Sequence, residues 1–168
     1  SEKHGKLIIG WAGSIKNHGD KRGYHEYIVP ATEKLIRSVE LQTAAREDKW
    51  RSKEEMRDFY RQLDLYICAS RTEGTPNPCL EAMACGVPVI TSNTSSMPEI
   101  SGEAAHIVDP YDSEEITAGM LQLVNDETYR KSLVEKGKLQ STHFSWKIMA
   151  QRVLVIYNEV INNLKIAS

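Results

Sequence analysis

Leu65-Tyr66-Ile67-Cys68-Ala69, a polar loop from Ser70 to Asn77, Pro78-Cys79-Leu80-Glu81-Ala82-Met83-Ala84-Cys85-Gly86 and then Val87-Pro88-Val89-Ile90-Thr91 read as strand, loop, helix and strand. The two outer runs are continuously apolar, the pattern of strands covered on both faces. Asn77 is the expected N-cap, Pro78 the first helical residue, and Gly86 the residue just past the helix end. A strand joined to its neighbour through a helix builds a parallel sheet.

The flanking sequence repeats this alternation. Leu7-Ile8-Ile9-Gly10-Trp11-Ala12 is another buried strand, ending at Gly13 and feeding the polar stretch Ser14 to Arg22. Tyr24, Tyr27, Ile28, Ala31 and Leu35 recur at helical spacing, with Pro30 expected to kink that helix or delay its start. Val39, Leu41, Thr43 and Ala45 alternate with polar neighbours as a strand. Ser52 and Glu55 form a capping box ahead of Met56, Phe59, Tyr60 and Leu63. Ala105 to Val108 reads as a short strand, and Asp112 with Glu115 opens a helix through Ile116, Met120, Leu123 and Val124. A further helix covers Tyr129 to Gly137. Trp146, Met149, Val153, Tyr157, Val160, Ile161 and Leu164 stripe a long last one, expected either to cross to another domain or to pack on the sheet. The fold class is therefore α/β, an open, Rossmann-like parallel sheet with helices on both faces, and residues 1–168 form one domain.

Lys and Arg number 21 against 23 Asp and Glu, interspersed in both signs. That balance gives no electrostatic reason to expect nucleic acid as a partner. Cys68, Cys79 and Cys85 are odd in number, lack C-x-x-C spacing and read as reduced thiols, so a cytoplasmic location is expected. Asn93-Thr94-Ser95 matches the glycosylation triplet by chance on this reading. No run of apolar residues approaches the length of a membrane span.

Ligands of open parallel sheets bind beyond the carboxyl ends of the strands, which selects the loops after Ala12 and Ala69. In the second loop, Glu73 and Glu81 stand eight positions apart with a helix start between them. The dipole and unpaired amides of that start attract an anion such as phosphate. Pro78 has no N–H, so the expected donors are the amides of Cys79 and Leu80. Glu81 can accept hydrogen bonds from ribose hydroxyls and Glu73 from those of a hexose. Glu81 considered alone is equally a charge that favours the helix dipole.

The run Glu73 to Ile90, with Glu-Ala-Met-Ala-Cys-Gly-Val-Pro-Val-Ile after the second glutamate, resembles the E-x7-E signature of the family-4 (group 1) retaining glycosyltransferases of the GT-B fold. Gly5 to Gly23 resembles that family's first strand and phosphate loop, and Met97-Pro98-Glu99-Ile100 a usual helix start. The whole chain resembles the C-terminal, donor-binding domain, one half of a GT-B fold. The resemblance implies transfer of a sugar, with retention and without a metal, from a nucleotide diphosphate sugar to an acceptor such as a glycan or lipid. Glu73 is then the catalytic-site residue that orients the sugar. Gly13, Ser14, Lys16, Lys21, Arg22, Gly74, Thr75, Asn77, Pro78, Cys79, Leu80 and Glu81 are the expected donor-binding residues, and no metal site or cofactor is expected.

Departures from the family pattern bear on these roles. Ser14 stands where the family places an arginine, so Lys16 is the expected substitute and Lys21 or Arg22 the phosphate contact. Pro76 replaces a frequent glycine and removes an N–H from the sugar site. Trp50 and Arg51 are candidates for the base pocket, in a segment too short for the helix usual there. The family enzyme needs a second, N-terminal acceptor domain, so this chain is expected to be a fragment, inactive alone, whose intact form could associate peripherally with a membrane. The competing expectations are a sugar-nucleotide epimerase of similar fold, and a non-catalytic doubly wound binding domain, which would require an acidic cluster where Gly13-Ser14 stand.

Overall fold

The computed structural model describes residues 6–15, 22–35 and 38–166. Five parallel strands, β1 (Leu7–Gly13), β2 (Val39–Ala45), β3 (Leu65–Cys68), β4 (Val89–Ser92) and β5 (Ala105–Val108), form one sheet in the order β2-β1-β3-β4-β5. β1 and β2 pair along their full length, Leu7 opposite Val39 through Gly13 opposite Ala45. Chain order reverses direction at β1 and β3, which opens a crevice at their carboxyl ends.

Alternate residues of each strand enter two cores. On one face, Ile9, Trp11, Leu65, Ile67 and Ile90 meet Ile28, Ala31, Ile116, Met120 and Leu123 from α1 (Val29–Glu33), the turn before it, and α5 (Ser113–Asn125). On the other, Ala12, Tyr66, Cys68 and Val89 meet Phe59, Tyr60, Cys79, Ala82 and Met83 from α2 (Lys53–Arg61) and α3 (Asn77–Ala84). This double coverage explains why β3 and β4 are apolar at consecutive positions. Gly10 in β1 faces the segment after α2 so closely that a Cβ there would lie 2.0 Å from Leu63 Cδ1.

Local chemistry sets most helix ends. Ser52 caps α2 through Glu55 N–H at 3.1 Å, and the Glu55 carboxylate accepts from Ser52 N–H at 2.8 Å, completing the box. Asp112 caps α5 by accepting from the amides of Glu114 and Glu115. α3 ends in a Schellman arrangement, with Val87 N–H on Ala82 O and Gly86 N–H on Met83 O, both 3.0 Å. Gly86 sits at φ 75, a conformation a Cβ would strain. Pro30 is accommodated by a π-helical turn, Tyr24–Ile28, that passes into α1 with the proline in its first turn. α4 (Met97–Ser101) follows β4, and α6 (Glu127–Thr142), longer at both ends than the sequence pattern suggests, packs across α3.

Two expectations are corrected. Asn77 is not the N-cap of α3. The helix begins at Asn77, and Pro76 is the cap, its carbonyl accepting from Cys79 N–H at 2.9 Å and Leu80 N–H at 3.4 Å. α7 (Trp146–Ile166) does not pack on the sheet, since Trp146, Leu154, Ile156, Tyr157 and Val160 are all more than half exposed. Among the described residues no helix is long and apolar enough to cross a membrane.

Candidate functional site

At the carboxyl ends of β1 and β3 lies a cleft of about 710 Å³, whose lining includes Gly13, Arg22, Glu73, Thr75, Asn77, Pro78 and Glu81. Each arrives by a different route. Gly13 closes β1, and Arg22 returns from the loop that follows it, its Nη1 donating to Ala12 O at 3.1 Å. That bond turns the other end of the guanidinium toward Glu73, with Nη2 and Oε1 3.1 Å apart. The ion pair is mostly shielded from water. Ser70 Oγ donates to the same Glu73 oxygen at 3.3 Å.

The backbone beneath Glu73 is held by hydroxyls from the loop after β4. Ser95 and Ser96 Oγ donate to Glu73 O at 2.7 and 2.9 Å, and Glu73 N–H donates to Ser95 Oγ at 3.2 Å. Ser92 and Thr94 donate to Ser70 O, and Thr94 also reaches Arg71 O. Ser95 adopts φ 56, unusual for a residue with a side chain. A position that a serine occupies at such a backbone angle, while bonding both polar groups of Glu73, fixes where that carboxylate begins.

Glu81, one turn into α3, accepts from Tyr60 Oη at 2.9 Å. Burial, followed by the Glu81 charge and hydrogen bond, pushes the Tyr60 hydroxyl far up, so it stays a neutral donor. One carboxylate oxygen of Glu81 is thereby committed and the other remains able to accept. Below this region Cys79 is buried, its thiol pushed up by a hydrogen bond to Cys68 and by burial.

The expected site residues separate into three groups. Gly13, Arg22, Glu73, Thr75, Asn77, Pro78 and Glu81 line the cleft together. Ser14, Gly74, Cys79 and Leu80 do not. Ser14 donates to Glu47, Gly74 is exposed, and the amides of Cys79 and Leu80 are occupied by Pro76 O rather than unpaired. That last point corrects the expected hydrogen-bonding state of the helix start, and its cause is the carbonyl that Pro76 directs along the helix. Lys16 and Lys21 lie outside the described residues. The sequence pattern missed Tyr60, which it placed on an apolar helix face, and the Ser92 to Ser96 hydroxyls, whose density directly after a strand was the available signal. Among the described residues no three His, Cys, Asp or Glu side chains gather as a metal ion would require.

A five-stranded parallel sheet with both faces covered and polar side chains gathered at its switch point defines a doubly wound α/β domain of the GT-B type. The chain belongs to the glycosyl transferases group 1 family, whose model matches residues 31–140, more than half of its length. It is 36% identical over 104 residues to the O-antigen chain mannosyltransferase B of Escherichia coli, a match covering 62% of this chain and 27% of that protein. In structure it is similar to the C-terminal domain of a glycosyl transferase group 1 family protein from Francisella tularensis. The TM-score is 0.67 at 22% identity, over 82% of this chain and 85% of that one. It is also similar to the α,α-trehalose 6-phosphate synthase of Burkholderia multivorans, with a TM-score of 0.80 at 10% identity, over 97% of this chain and 44% of that one. The chain spans about a tenth to a third of the length of the curated relatives it matches.

Proposed function

We propose that the cleft binds a nucleotide diphosphate sugar and that the chain is the donor-binding part of a glycosyltransferase acting with retention and without a metal. The observation that carries this reading is the convergence of the Arg22 guanidinium with the Glu73 and Glu81 carboxylates in a single cleft at the sheet's switch point. The diphosphate is met by Arg22, a planar cation suited to phosphate oxygens. Ribose hydroxyls donate to Glu81, which Tyr60 holds in place, and hydroxyls of the transferred sugar donate to Glu73. When donor binds, Arg22 exchanges its Glu73 contact for phosphate and leaves Glu73 free to accept from the sugar. Charge building on the leaving diphosphate is offset by Arg22.

The mannosyltransferase relative makes a mannose donor the first to test, with a growing polysaccharide chain as acceptor. Acceptor binding and turnover require a second domain, and the exposed apolar residues of α7 are the surface that domain would cover. Calorimetric titration with nucleotide diphosphates tests the reading. Wild-type protein is expected to bind, and Arg22→Ala and Glu81→Gln to weaken binding about tenfold or more. Equal affinity in all three proteins rejects it.

A further inference from the structure

A second ion pair joins the segments that carry Arg22 and Glu73. Glu26, in the π-helical turn just after Arg22, pairs with Arg71, which shortly precedes Glu73 in its loop. The two pairs run in opposite senses, each segment giving a cation to one and an acid to the other. The Arg71 guanidinium carbon stands 5.0 Å from the ring centroids of both Tyr27 and Tyr111, and those rings meet edge to face with centroids 6.3 Å apart. Arg71 Nε is buried without a hydrogen-bond partner, so aromatic faces and the Glu26 carboxylate make its seat. Its backbone oxygen accepts from Thr94 Oγ1 at 3.1 Å. The ring of Tyr27 is itself tied to the Arg22 end. The amides of Tyr27 and Ile28 donate to Gly23 O at 3.0 and 2.9 Å, and Gly23, at φ 63, packs against Ala69 O and Pro110 O.

Neither Arg71 nor Glu26 lines the cleft. A donor that draws Arg22 from Glu73 onto its diphosphate therefore leaves the second pair in place. Without that pair the same exchange would release the two segments from each other, and the donor would have to order them at a cost in affinity. A guanidinium drawn to two ring faces and to a carboxylate is fixed in direction, as a lysine ammonium is not. We infer that Arg71 is a positioning residue for donor binding: seated against Tyr27 and Tyr111 and paired with Glu26, it keeps Arg22 and Glu73 at the spacing of a diphosphate and its sugar after their own ion pair has opened. The inference rests on the reading of the cleft as a nucleotide diphosphate sugar site and adds the residue that holds its two ends together.

Calorimetric titration with GDP and GDP-mannose, and with UDP and UDP-glucose, well below the unfolding midpoint, tests it. The quantity read is the gain from the sugar, the ratio of the two dissociation constants within the couple that binds more tightly. Arg71→Ala is expected to cut that gain about fivefold, the size of a coupling between residues in one network. Glu73→Gln is expected to abolish the gain by itself, and Arg71→Ala added to it to change the gain no further. Tyr111→Ala, at an exposed position, removes one face of the seat; it is expected to show the same pattern at about twofold and is decisive where Arg71→Ala does not fold. An unchanged gain in Arg71→Ala, even with a lowered midpoint, assigns the residue to stability alone and overturns the inference. A further loss of the same size on the Glu73→Gln background overturns it too. Wild-type protein that binds nucleotide with no gain from the sugar overturns the role of Glu73, and failure of every nucleotide to bind overturns the donor reading itself; either result takes this inference with it.

Discussion

Replacing Ser95 and Ser96 by alanine removes both hydroxyl donors from Glu73 O, at 2.7 and 2.9 Å, and the acceptor of Glu73 N–H at 3.2 Å. Each such bond contributes roughly 0.5–1.5 kcal/mol net, toward the low end at Ser95, which is exposed. The three share two side chains and one peptide, so they do not add fully, and the double variant should lose about 2 kcal/mol. For a domain of this size that lowers the unfolding midpoint by about 4–8 °C, read by circular dichroism. Ser95→Gly separates the two roles of the position. It loses the hydroxyl but relieves the left-handed backbone at φ 56, a strain of about 1 kcal/mol, so it should be less destabilising than Ser95→Ala. In titrations the double variant should bind nucleotide diphosphate as the wild type does, yet lose the extra affinity that the attached sugar confers. An unchanged midpoint in the double variant, or Ser95→Gly falling below Ser95→Ala, would refute the assignment of these serines as the support of Glu73.

Tyr60→Phe removes the donor to Glu81 and is expected to cost about 1–2 kcal/mol in denaturant unfolding, with a parallel loss of nucleotide affinity; retention of both would show that Glu81 needs no such support. His106 is held below its ordinary value by burial, with Tyr129 Oη 3.1 Å from its Nδ1. Below about pH 6.5 the unfolded chain therefore takes a proton that the folded chain resists, and stability falls as pH falls through this window. Thermal unfolding of His106→Gln should be less sensitive to acidification between pH 7 and 5.5 than that of the wild type, and identical slopes would contradict the shift.

The parts of the fold visible in the sequence are those decided by chemistry within a few residues. The Ser52–Glu55 box, the Asp112 cap and the Gly86 terminus each depend on groups three or four positions apart, and all three stand where their residues place them. The start of α3 lies one residue earlier than the sequence suggests because Asn77 lies between two prolines, and the carbonyl of Pro76 accepts from the Cys79 and Leu80 amides that were expected to face a phosphate. Glu73 and Glu81 were legible as a spaced pair, and Arg22 as a basic residue near a glycine. Their partners were not, because Tyr60 and the Ser95–Ser96 pair are 21 and 22 or more positions away and meet them only through the sheet. Of the cations that line the cleft between 46 and 57, the sequence singled out Arg51 alone, because five cations and four acids are interspersed along that segment and separate only when the loop folds.

The most direct measurement is a crystal structure of the chain soaked with the nucleotide diphosphate sugar that binds best. The account predicts the diphosphate against Arg22, the ribose on Glu81 and the transferred sugar on Glu73. A ligand seated elsewhere, or one that leaves the Arg22–Glu73 ion pair intact while occupying neither carboxylate, would contradict it.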